Sequence, residues 1–482
     1  MFDPRPIAYV IGLVVAVLGV TMFVPMLVDL YYGSPDWAVF LQSAMISIVF
    51  GGTLALATAN TAGQGLSIQQ IFLLTTLVWI ALPLFGALPF MMSVVDARVV
   101  DAMFEAMSGM TTTGSTVFSG LDDLPAGILL WRSMLQWFGG IGIIVVAMVF
   151  MPELRVGGMQ IFRSEAFDTM GKVLPRAVEI AGRIFWIYIG LTVANVLAYL
   201  AVGMTPFDAI NHAFTTISTG GFSTHDASMG VYQGAPEYVA SVFMILASLP
   251  FVRFIQLAAG TARPLFTDPQ VRGYLTFIAS ITLVLALYRL IANGDHFEHG
   301  VREGLFNAVS IISGTGYASV DYQLWGAFPF VAFFFLGLVG GCAGSTACSV
   351  KIFRYQLLFA SVKAQIRAIH SPHGVFVPRY GGRPVGEDIL SSVMAFFVMF
   401  VVSLGVLSVA LAMTGLDTVT ALSGAATALA NVGPGLGDTI GPSGNFAALN
   451  DTAKWLLTAA MLIGRLEVLS VYVLFTLRFW RD

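Results

Sequence analysis

The sequence predicts an all-α protein that crosses a membrane many times, and its composition is the first reason. Of its 482 residues, 57% are hydrophobic and only 10% are charged, whereas soluble globular proteins carry about 25% charged residues. A disordered chain, a nucleic-acid-binding protein and a water-soluble enzyme are therefore excluded. The 50 glycines are the second observation, because they suggest much irregular backbone at membrane depth. Such backbone is tolerated only where it is buried in protein or lines a cavity, so the composition also indicates a pathway through the protein.

Ten apolar runs are long enough to be membrane spans, which need about 20 apolar residues each. They lie at residues 8–28, 37–57, 69–92, 126–151, 184–203, 237–260, 272–293, 326–347, 389–413 and 453–477. The first run lacks a cleavage pattern, so we interpret it as a span rather than a signal peptide. Most Lys and Arg residues lie at the two ends of the chain and in the connections near 153–183, 263–272 and 354–383. The positive-inside bias therefore predicts that this side and both termini are cytoplasmic.

Four short segments between the runs are similar to one another and end in glycine. They occupy residues 104–114, 210–220, 306–316 and 422–433. Each has about ten helix-compatible residues before the glycine and stands between two apolar runs, so that span, half-helix, turn and span form an internal repeat. All four copies have the same orientation. We predict four units of helix, re-entrant pore helix and helix around one axis, with two N-terminal transmembrane helices outside the repeat.

The repeat divides the chain into five parts. We predict a two-helix extension at 1–62, followed by repeats at 63–152, 153–262, 263–370 and 371–482. The stretch 337–346 in the third repeat is rich in small residues, and each Gly inside a helix costs about 1 kcal/mol relative to Ala. We expect the second helix of this repeat to be interrupted there. Close packing between helices explains the small residues equally well.

The glycine ends of the four segments suit a path for a cation. A cation that crosses a bilayer exchanges its water for oxygen ligands, which rings of backbone carbonyls can supply. Glycine permits the backbone angles that this requires, and the C-terminal end of a half-helix carries partial negative charge. The supporting hydroxyls would come from Thr112, Thr113, Ser218, Thr219 and Thr315. One such segment would be an ordinary glycine-rich loop, but four in register favour an ion pathway.

Arg465 lies inside an otherwise apolar run. A charge within a membrane is costly and indicates a function by default. The alternative is a structural ion pair with a buried acid. Glu467 is a poor partner for this pair, because residues two apart on a helix do not face each other.

Motifs along the whole chain carry a resemblance to a known group of proteins. They lie at residues 108–114, 136–142, 218–222, 314–317, 340–346, 431–435 and 464–467. With them the chain resembles the Trk/Ktr/HKT superfamily of potassium transporters, and its two extra N-terminal spans favour the bacterial TrkH type. The resemblance implies potassium uptake through eight core helices and four re-entrant pore helices around a single ion path, assembled as a homodimer.

The resemblance also implies roles for individual residues. It places a potassium selectivity filter at Thr112, Thr113, Gly114, Ser218, Thr219, Gly220, Gly314, Thr315, Gly316, Asn431, Val432 and Gly433. It places an intramembrane gate at Gly344, Ser345, Thr346, Lys351 and Arg465, with the arginine as an electrostatic barrier to cations. A glycine at position 114 supports potassium, because some plant relatives that favour sodium have serine there.

The gate region departs from the family pattern at one point. The family usually continues with a glycine pair, whereas this chain has Ala347, Cys348, Ser349 and Val350. Loop flexibility is therefore expected to differ. We interpret Cys348 and Cys342 as small packing residues rather than redox sensors.

The resemblance further implies partners and a location. A cytoplasmic TrkA-type subunit would carry the regulatory nucleotide and dock on 153–183 and 353–388. This chain would bind no cofactor other than the potassium ion in its path, and it would lie in the lipid bilayer of the bacterial inner membrane.

Other functions stay open at this point. A sodium- or proton-driven symporter would need a chain of buried carboxylates along the path, which the sequence does not show, and a sodium-permeable relative is disfavoured by Gly114. The four-fold repeat argues against a membrane enzyme or a receptor-like scaffold. The sequence has no Walker loop, HExxH or GxSxG motif, and the HxxH pairs at 296–299 and 370–373 have no further ligands, so we predict neither an enzyme nor a metal site of that kind.

Overall fold

The computed structural model describes residues 3–61, 66–146 and 177–480, and the regular structure there is predominantly helical. Within these ranges, seven helices are long and apolar enough to cross a membrane, and the number is nine if each of two sharply bent helix pairs counts as one span. The all-α prediction is confirmed, and the chain is a multi-pass membrane protein. The cation-rich stretch 153–176 and the span end 147–151 lie outside the described residues.

The N-terminal part is a helical hairpin that packs on the rest of the chain. It consists of α1 (Arg5–Thr21), α2 (Phe23–Tyr32) and α3 (Trp37–Ala57). The backbones of α1 and α3 approach closely, because a Cβ added at Gly12 would lie 2.7 Å from the carbonyl oxygen of Gly51. Small residues permit such approaches between membrane helices. The buried Asp29 accepts a hydrogen bond of 2.6 Å from the amide of Gly127 and so attaches the hairpin to the fourth long helix.

In the described residues after the hairpin, four sets of helices follow one another, each with a long helix, a shorter helix and a further helix that is unbroken only in the first set. The first two sets are α4 (Ile68–Gly86) with α5 (Leu88–Met92), α6 (Val99–Met110) and α7 (Ala126–Val145), then α8 (Ala177–Ala201), α9 (Pro206–Ile217) and α10 (Ala235–Ala247) with α11 (Phe251–Ala258). After the connecting α12 (Arg263–Thr267), the third set is α13 (Pro269–Tyr288), α14 (Phe297–Ser313), α15 (Ala327–Gly337) and α16 (Ile352–His370). The fourth is α17 (Glu387–Met413), α18 (Thr418–Ala430) and α19 (Asp451–Arg465) with α20 (Val468–Tyr472). The boundaries at 62, 152, 262 and 370 stay predictions, and the first two lie outside the described residues.

Four short strands complete the regular structure of the described residues. Strands β1 (Val339–Gly340) and β2 (Val350–Lys351) pair in parallel, and β3 (Arg379–Tyr380) and β4 (Arg383–Pro384) form an antiparallel hairpin after α16.

The short helices α6, α9 and α18 have 12 or 13 residues and are too short to cross a bilayer, and α14, with 17 residues, has three charged residues among its first seven. Twelve residues, as in α6, rise about 18 Å, compared with about 30 Å of hydrocarbon. Their side chains are largely buried, and in α6 every residue from Val100 to Met110 except Asp101 is buried. Thr205 and Asp417 cap the N-termini of α9 and α18 by accepting backbone amides. Two of the short helices therefore begin at a side-chain cap, and all four end in the interior of the protein.

The second long helix is broken in three of the four sets. The predicted interruption in the third set is confirmed, because α15 ends at Gly337 and the chain is non-helical until α16, apart from the short strands. Continuous spans predicted at 237–260 and 453–477 are wrong: the helices there bend by 91° and 108°. Pro250, which has no amide hydrogen, directly precedes the helix after the first bend. Glu467, in the left-handed region with φ of 60°, marks the second.

Candidate functional site

Four glycine-containing stretches meet in the centre of the protein. We call them the glycine segments, and they are residues 111–114, 218–221, 314–316 and 431–433. Each begins where α6, α9, α14 or α18 ends, so the C-terminal ends of four short helices lie next to them. Because a helix C-terminus carries partial negative charge, this arrangement favours a cation at the centre.

The glycine segments contact each other in a closed order, which makes them a ring. A Cβ added at one segment would meet the backbone of the next. These approaches are Gly114 on Gly220, Gly221 on Thr315, Gly316 on Gly433 and Gly433 on Gly114. At Gly316 the added atom would lie 2.6 Å from the amide nitrogen of Gly433, and at Gly433 it would lie 3.2 Å from the carbonyl oxygen of Gly114. The ring is therefore built from backbone, with no space for side chains at its contacts.

The backbone angles correct the alignment of the second segment by one residue. Positive φ occurs two residues apart in the first three segments, and the second residue of each pair is Gly114, Gly221 or Gly316. The amide of Gly220 bonds to the carbonyl five residues earlier, as the amide of Thr113 does. Gly221, rather than Gly220, therefore occupies the position of Gly114. Gly220 remains in the ring at the position of Thr113.

The twelve residues predicted as a filter all lie in this ring, and all except the half-buried Gly114 and Gly316 are buried. Their potassium-binding role stays a prediction. Asn431 donates from Nδ2 to the Thr113 hydroxyl at 3.0 Å and to the carbonyl of Met461 at 2.9 Å, which joins the fourth segment to the first. Among the described residues, no three His, Cys, Asp or Glu side chains could together hold a metal ion. Ligands in the ring would therefore be backbone carbonyls and hydroxyls.

A cavity of about 160 Å³ opens on one side of the ring, and we call it the vestibule. Its lining includes Gly114, Gly221, Gly316 and Gly433, so all four segments reach it. The loops of the first two sets are joined at its rim. His225 contacts the Asp122 carboxylate and holds the pKa of that carboxyl below its usual range. The Asp226 carboxylate accepts the amides of Gly120 and Leu121 at 2.9 and 3.2 Å.

Residues 341–349, between β1 and β2, form an irregular loop on the opposite side of the ring. This 341–349 loop satisfies the backbone groups that the bend between α10 and α11 leaves free. Cys342 donates its amide to Ser248 at 3.0 Å, and Thr346 donates its amide to Ala247 at 3.3 Å. The Phe251 amide donates back to Gly344 at 2.9 Å. Loop and bend therefore form one hydrogen-bonded unit.

The 341–349 loop also closes against the ring. Its amides at Cys348 and Ser349 donate to the last carbonyls of α14 and α18, those of Ser313 and Ala430, at 3.3 and 2.8 Å. The Cys348 sulfur lies 3.5 Å from the hydroxyl of Thr112. The loop thus occupies the space directly next to the first, third and fourth segments.

Arg465 ends α19 beside this loop and is buried. Its Nη1 donates to the Cys348 sulfur at 2.7 Å, and its Nη2 donates to the carbonyl of Gly139 at 3.3 Å. Glu467 pairs with Arg354 instead, so it is not the partner of Arg465, although the reason is the bend between the two residues rather than their spacing on one helix. Cys348 is therefore more than a small packing residue, because it accepts the arginine's hydrogen bond.

Four of the five predicted gate residues line one cavity of about 40 Å³ beside the loop: Gly344, Ser345, Lys351 and Arg465. The cavity also reaches Asn431 of the ring. Thr346 lies elsewhere, with its hydroxyl donating to Ala247 at 3.0 Å in the bend. The gating role of these residues stays a prediction.

Sequence reasoning gave no role to three buried polar side chains next to the ring. Arg132 and Glu105 form an ion pair of 2.8 Å with side chains 1% and 0% exposed. Gln136 donates to the carbonyl of Gly220 at 2.6 Å and accepts the amide of Phe222 at 2.9 Å. A signal was present, because a charge in an apolar segment requires a partner. The sequence does not show which residue is the partner, because Glu105 and Arg132 are 27 positions apart.

The chain is similar to known transport proteins over its whole length. Residues 37–481 match the TrkH family, described as cation transport protein. The chain is 43% identical to the Trk system potassium uptake protein TrkI of Halomonas elongata, over 99% of this chain and 97% of that protein. It is 36% identical to the TrkH protein of Escherichia coli K12, over 99% of both chains. The crystal structure of the potassium transporter TrkH from Vibrio parahaemolyticus superposes with a TM-score of 0.91 at 34% identity, over 100% of both chains.

Proposed function

Because this chain belongs to the TrkH family of cation transport proteins, we propose that it takes up potassium through the ring of glycine segments. The observation that carries the proposal is the closed contact order of four backbone segments at the ends of four short helices. Relatives that match almost the full length of this chain are named potassium uptake proteins, which supports potassium as the ion.

The proposed path runs from the vestibule through the ring to the 341–349 loop. In the ring, backbone carbonyls replace the water of the ion, so that selectivity depends on where these carbonyls are held. Gly114 stands at the first filter position, which favours potassium over sodium. The register of the second segment adds Gly221 to the twelve filter residues.

The 341–349 loop is the proposed gate. It lies against the ring and the small cavity, and Arg465 adds a buried positive charge there. A cation next to that charge is destabilised, and more strongly in an interior of low effective dielectric constant than in water. Opening would therefore require both the loop and the arginine to move or to be shielded.

We further propose the surroundings of the protein. Its vestibule faces outward, its termini are cytoplasmic, and two copies form a homodimer in the inner membrane. A cytoplasmic nucleotide-binding subunit of the TrkA type docks on 153–183 and 353–388. Within the described part of this surface, α16 exposes Lys363 and Arg367 together with Phe359 and Ile369, which suits a protein partner.

Two buried carboxylates adjoin the proposed path, and neither favours a symporter. Glu105 is paired with Arg132 and Glu467 with Arg354. A coupling ion that binds to either carboxylate would first have to displace the arginine partner.

Flux through purified protein in lipid vesicles tests the proposal. Uptake of radioactive rubidium should be inhibited by external potassium much more strongly than by sodium. Gly316→Ser should reduce this discrimination by about tenfold, or ~1.4 kcal/mol, because the new side chain would displace the backbone of Gly433. Gly415→Ser is the control, since Gly415 also has positive φ but has open space around it. Equal inhibition by both ions in the wild-type protein would contradict potassium selectivity.

A further inference from the structure

Each short helix carries a polar side chain that hydrogen-bonds to the chain just after its glycine segment. The pairs, 11 to 13 residues apart, are Glu105 with Val117 at 2.9 Å, His212 with Ser223 at 3.0 Å, Asn307 with Ser319 at 3.1 Å and Ser423 with Leu436 at 3.0 Å. We call these four contacts the clamps. Each clamp fixes the chain just beyond a glycine segment relative to the helix just before it.

The first clamp differs from the others because it contains a buried ion pair. The Glu105 carboxylate accepts the amide of Val117, the Thr116 hydroxyl at 2.9 Å and Nε of Arg132 at 2.8 Å. The other three clamps use neutral or hydroxyl groups for the same task. A buried ion pair is weak evidence for stability, because desolvation offsets its attraction. The ion pair at this one clamp therefore suggests a role beyond holding the chain after the first glycine segment.

That task is visible in the remaining contacts of Arg132. Its Nη1 donates to the carbonyl of Ser223 at 2.8 Å, and its guanidinium lies 4.3 Å from the centre of the Phe222 ring. Its Nη2 donates to the Thr116 hydroxyl at 3.2 Å. The planar guanidinium of Arg132 thus contacts the chain just after the first glycine segment and the chain just after the second.

We infer that Arg132 and Glu105 are positioning residues that set the spacing between the first two glycine segments and thereby the discrimination between potassium and sodium. The inference rests on the proposed function and deepens it. The guanidinium fork fixes the Ser223 carbonyl two residues beyond Gly221, while the carboxylate fixes Val117 three residues beyond Gly114. Neither side chain needs to touch the ion. The two segments that they position supply half of the ring.

Two variants separate the contact of Arg132 with Ser223, which we call the bridge, from the charges of the Glu105–Arg132 ion pair. In Glu105→Gln with Arg132→Met, the glutamine oxygen can still accept Val117, no unpaired charge is left, and the bridge to Ser223 is removed. In Arg132→Lys the ion pair stays, but an ammonium group cannot reproduce the fork. Both variants are purified, their thermal unfolding is compared with that of the wild-type protein, and rubidium uptake is measured against potassium and sodium. We expect the potassium-over-sodium ratio to fall by at least about threefold in both.

The matched control removes a similar ion pair far from the ring. Glu237 and Arg302 are 0% and 7% exposed, and they join α10 to α14 well before the third glycine segment. Glu237→Gln with Arg302→Met should leave the ratio within twofold of the wild-type value. The inference is overturned if either folded Arg132 variant keeps the wild-type ratio, or if the control loses as much. If the wild-type protein itself does not discriminate, the proposed function fails instead.

Discussion

The ring of glycine segments and the 341–349 loop lie against each other but are held in opposite ways. Each segment of the ring is held by its own short helix, through a clamp and through backbone bonds that recur from segment to segment. The loop has no counterpart in the other sets within the described residues. It is held by contacts to the α10–α11 bend, to two short helices and to Arg465.

The difference agrees with the proposal that the ring stays in place while the 341–349 loop moves. Displacing one ring segment would disturb both of its neighbours, since the contacts are closed. Releasing the loop would free the carbonyls of Ser313 and Ala430, which accept hydrogen bonds from the amides of Cys348 and Ser349 in this structure. Freed carbonyls at helix C-termini favour a cation. In the proposed gating mechanism, the same acceptors would serve the loop when the path is closed and a hydrated ion when it is open.

The largest effect is expected from a methyl group at the corrected ring position. Gly221→Ala places a Cβ on the carbonyl of Thr315 at a positive φ of 78°, and backbone cannot yield easily. Gly220→Ala meets mainly the side chain of Gln136. We expect the potassium-over-sodium ratio to fall by about tenfold or more in Gly221→Ala, and by about threefold or less in Gly220→Ala. A larger loss of selectivity in Gly220→Ala than in Gly221→Ala, measured by vesicle flux, would contradict the corrected alignment and support the one based on sequence.

A smaller effect is expected on the side of the loop. Arg465→Ala removes the buried charge and the hydrogen bond to Cys348, so that basal rubidium flux without a regulatory partner should rise by about fivefold, with selectivity unchanged. Arg98→Ala is the control, because Arg98 is exposed and pairs with Asp101 and Asp451. Flux equal to that of the wild-type protein would leave Arg465 a structural residue.

The ring could largely be predicted from sequence because its parts are local and repeated. Four helix-compatible stretches, each ending in glycine, define the short helices and their ends without any long-range contact. The error of one residue in the second segment has a simple cause. Gly220 and Gly221 are adjacent, and only the backbone angles show which of them matches Gly114.

The contacts on the other side of the ring could not be predicted, because they join distant parts of the chain. Pro250 gave a local signal for the first bend. The free carbonyls of the bend, those of Ala247 and Ser248, accept hydrogen bonds from a loop almost a hundred residues later. Glu467 gave no signal for the second bend, since its left-handed backbone and its pair with Arg354 depend on the assembled fold. The small residues at 337–346 did predict a break, though not what the loop touches.

The smallest expected effect concerns the residue that joins the two regions. Cys348 contacts both Arg465 and Thr112, and Cys348→Gly removes both contacts while leaving its backbone bond to Ser313 in place. Basal flux should rise by about twofold, less than in Arg465→Ala, because only one weak hydrogen bond and a small packing contact are lost. Cys342→Ala is the matched control, since this buried thiol contacts neither partner. A rise as large as that in Arg465→Ala would mean that the sulfur, rather than the charge, keeps the loop closed.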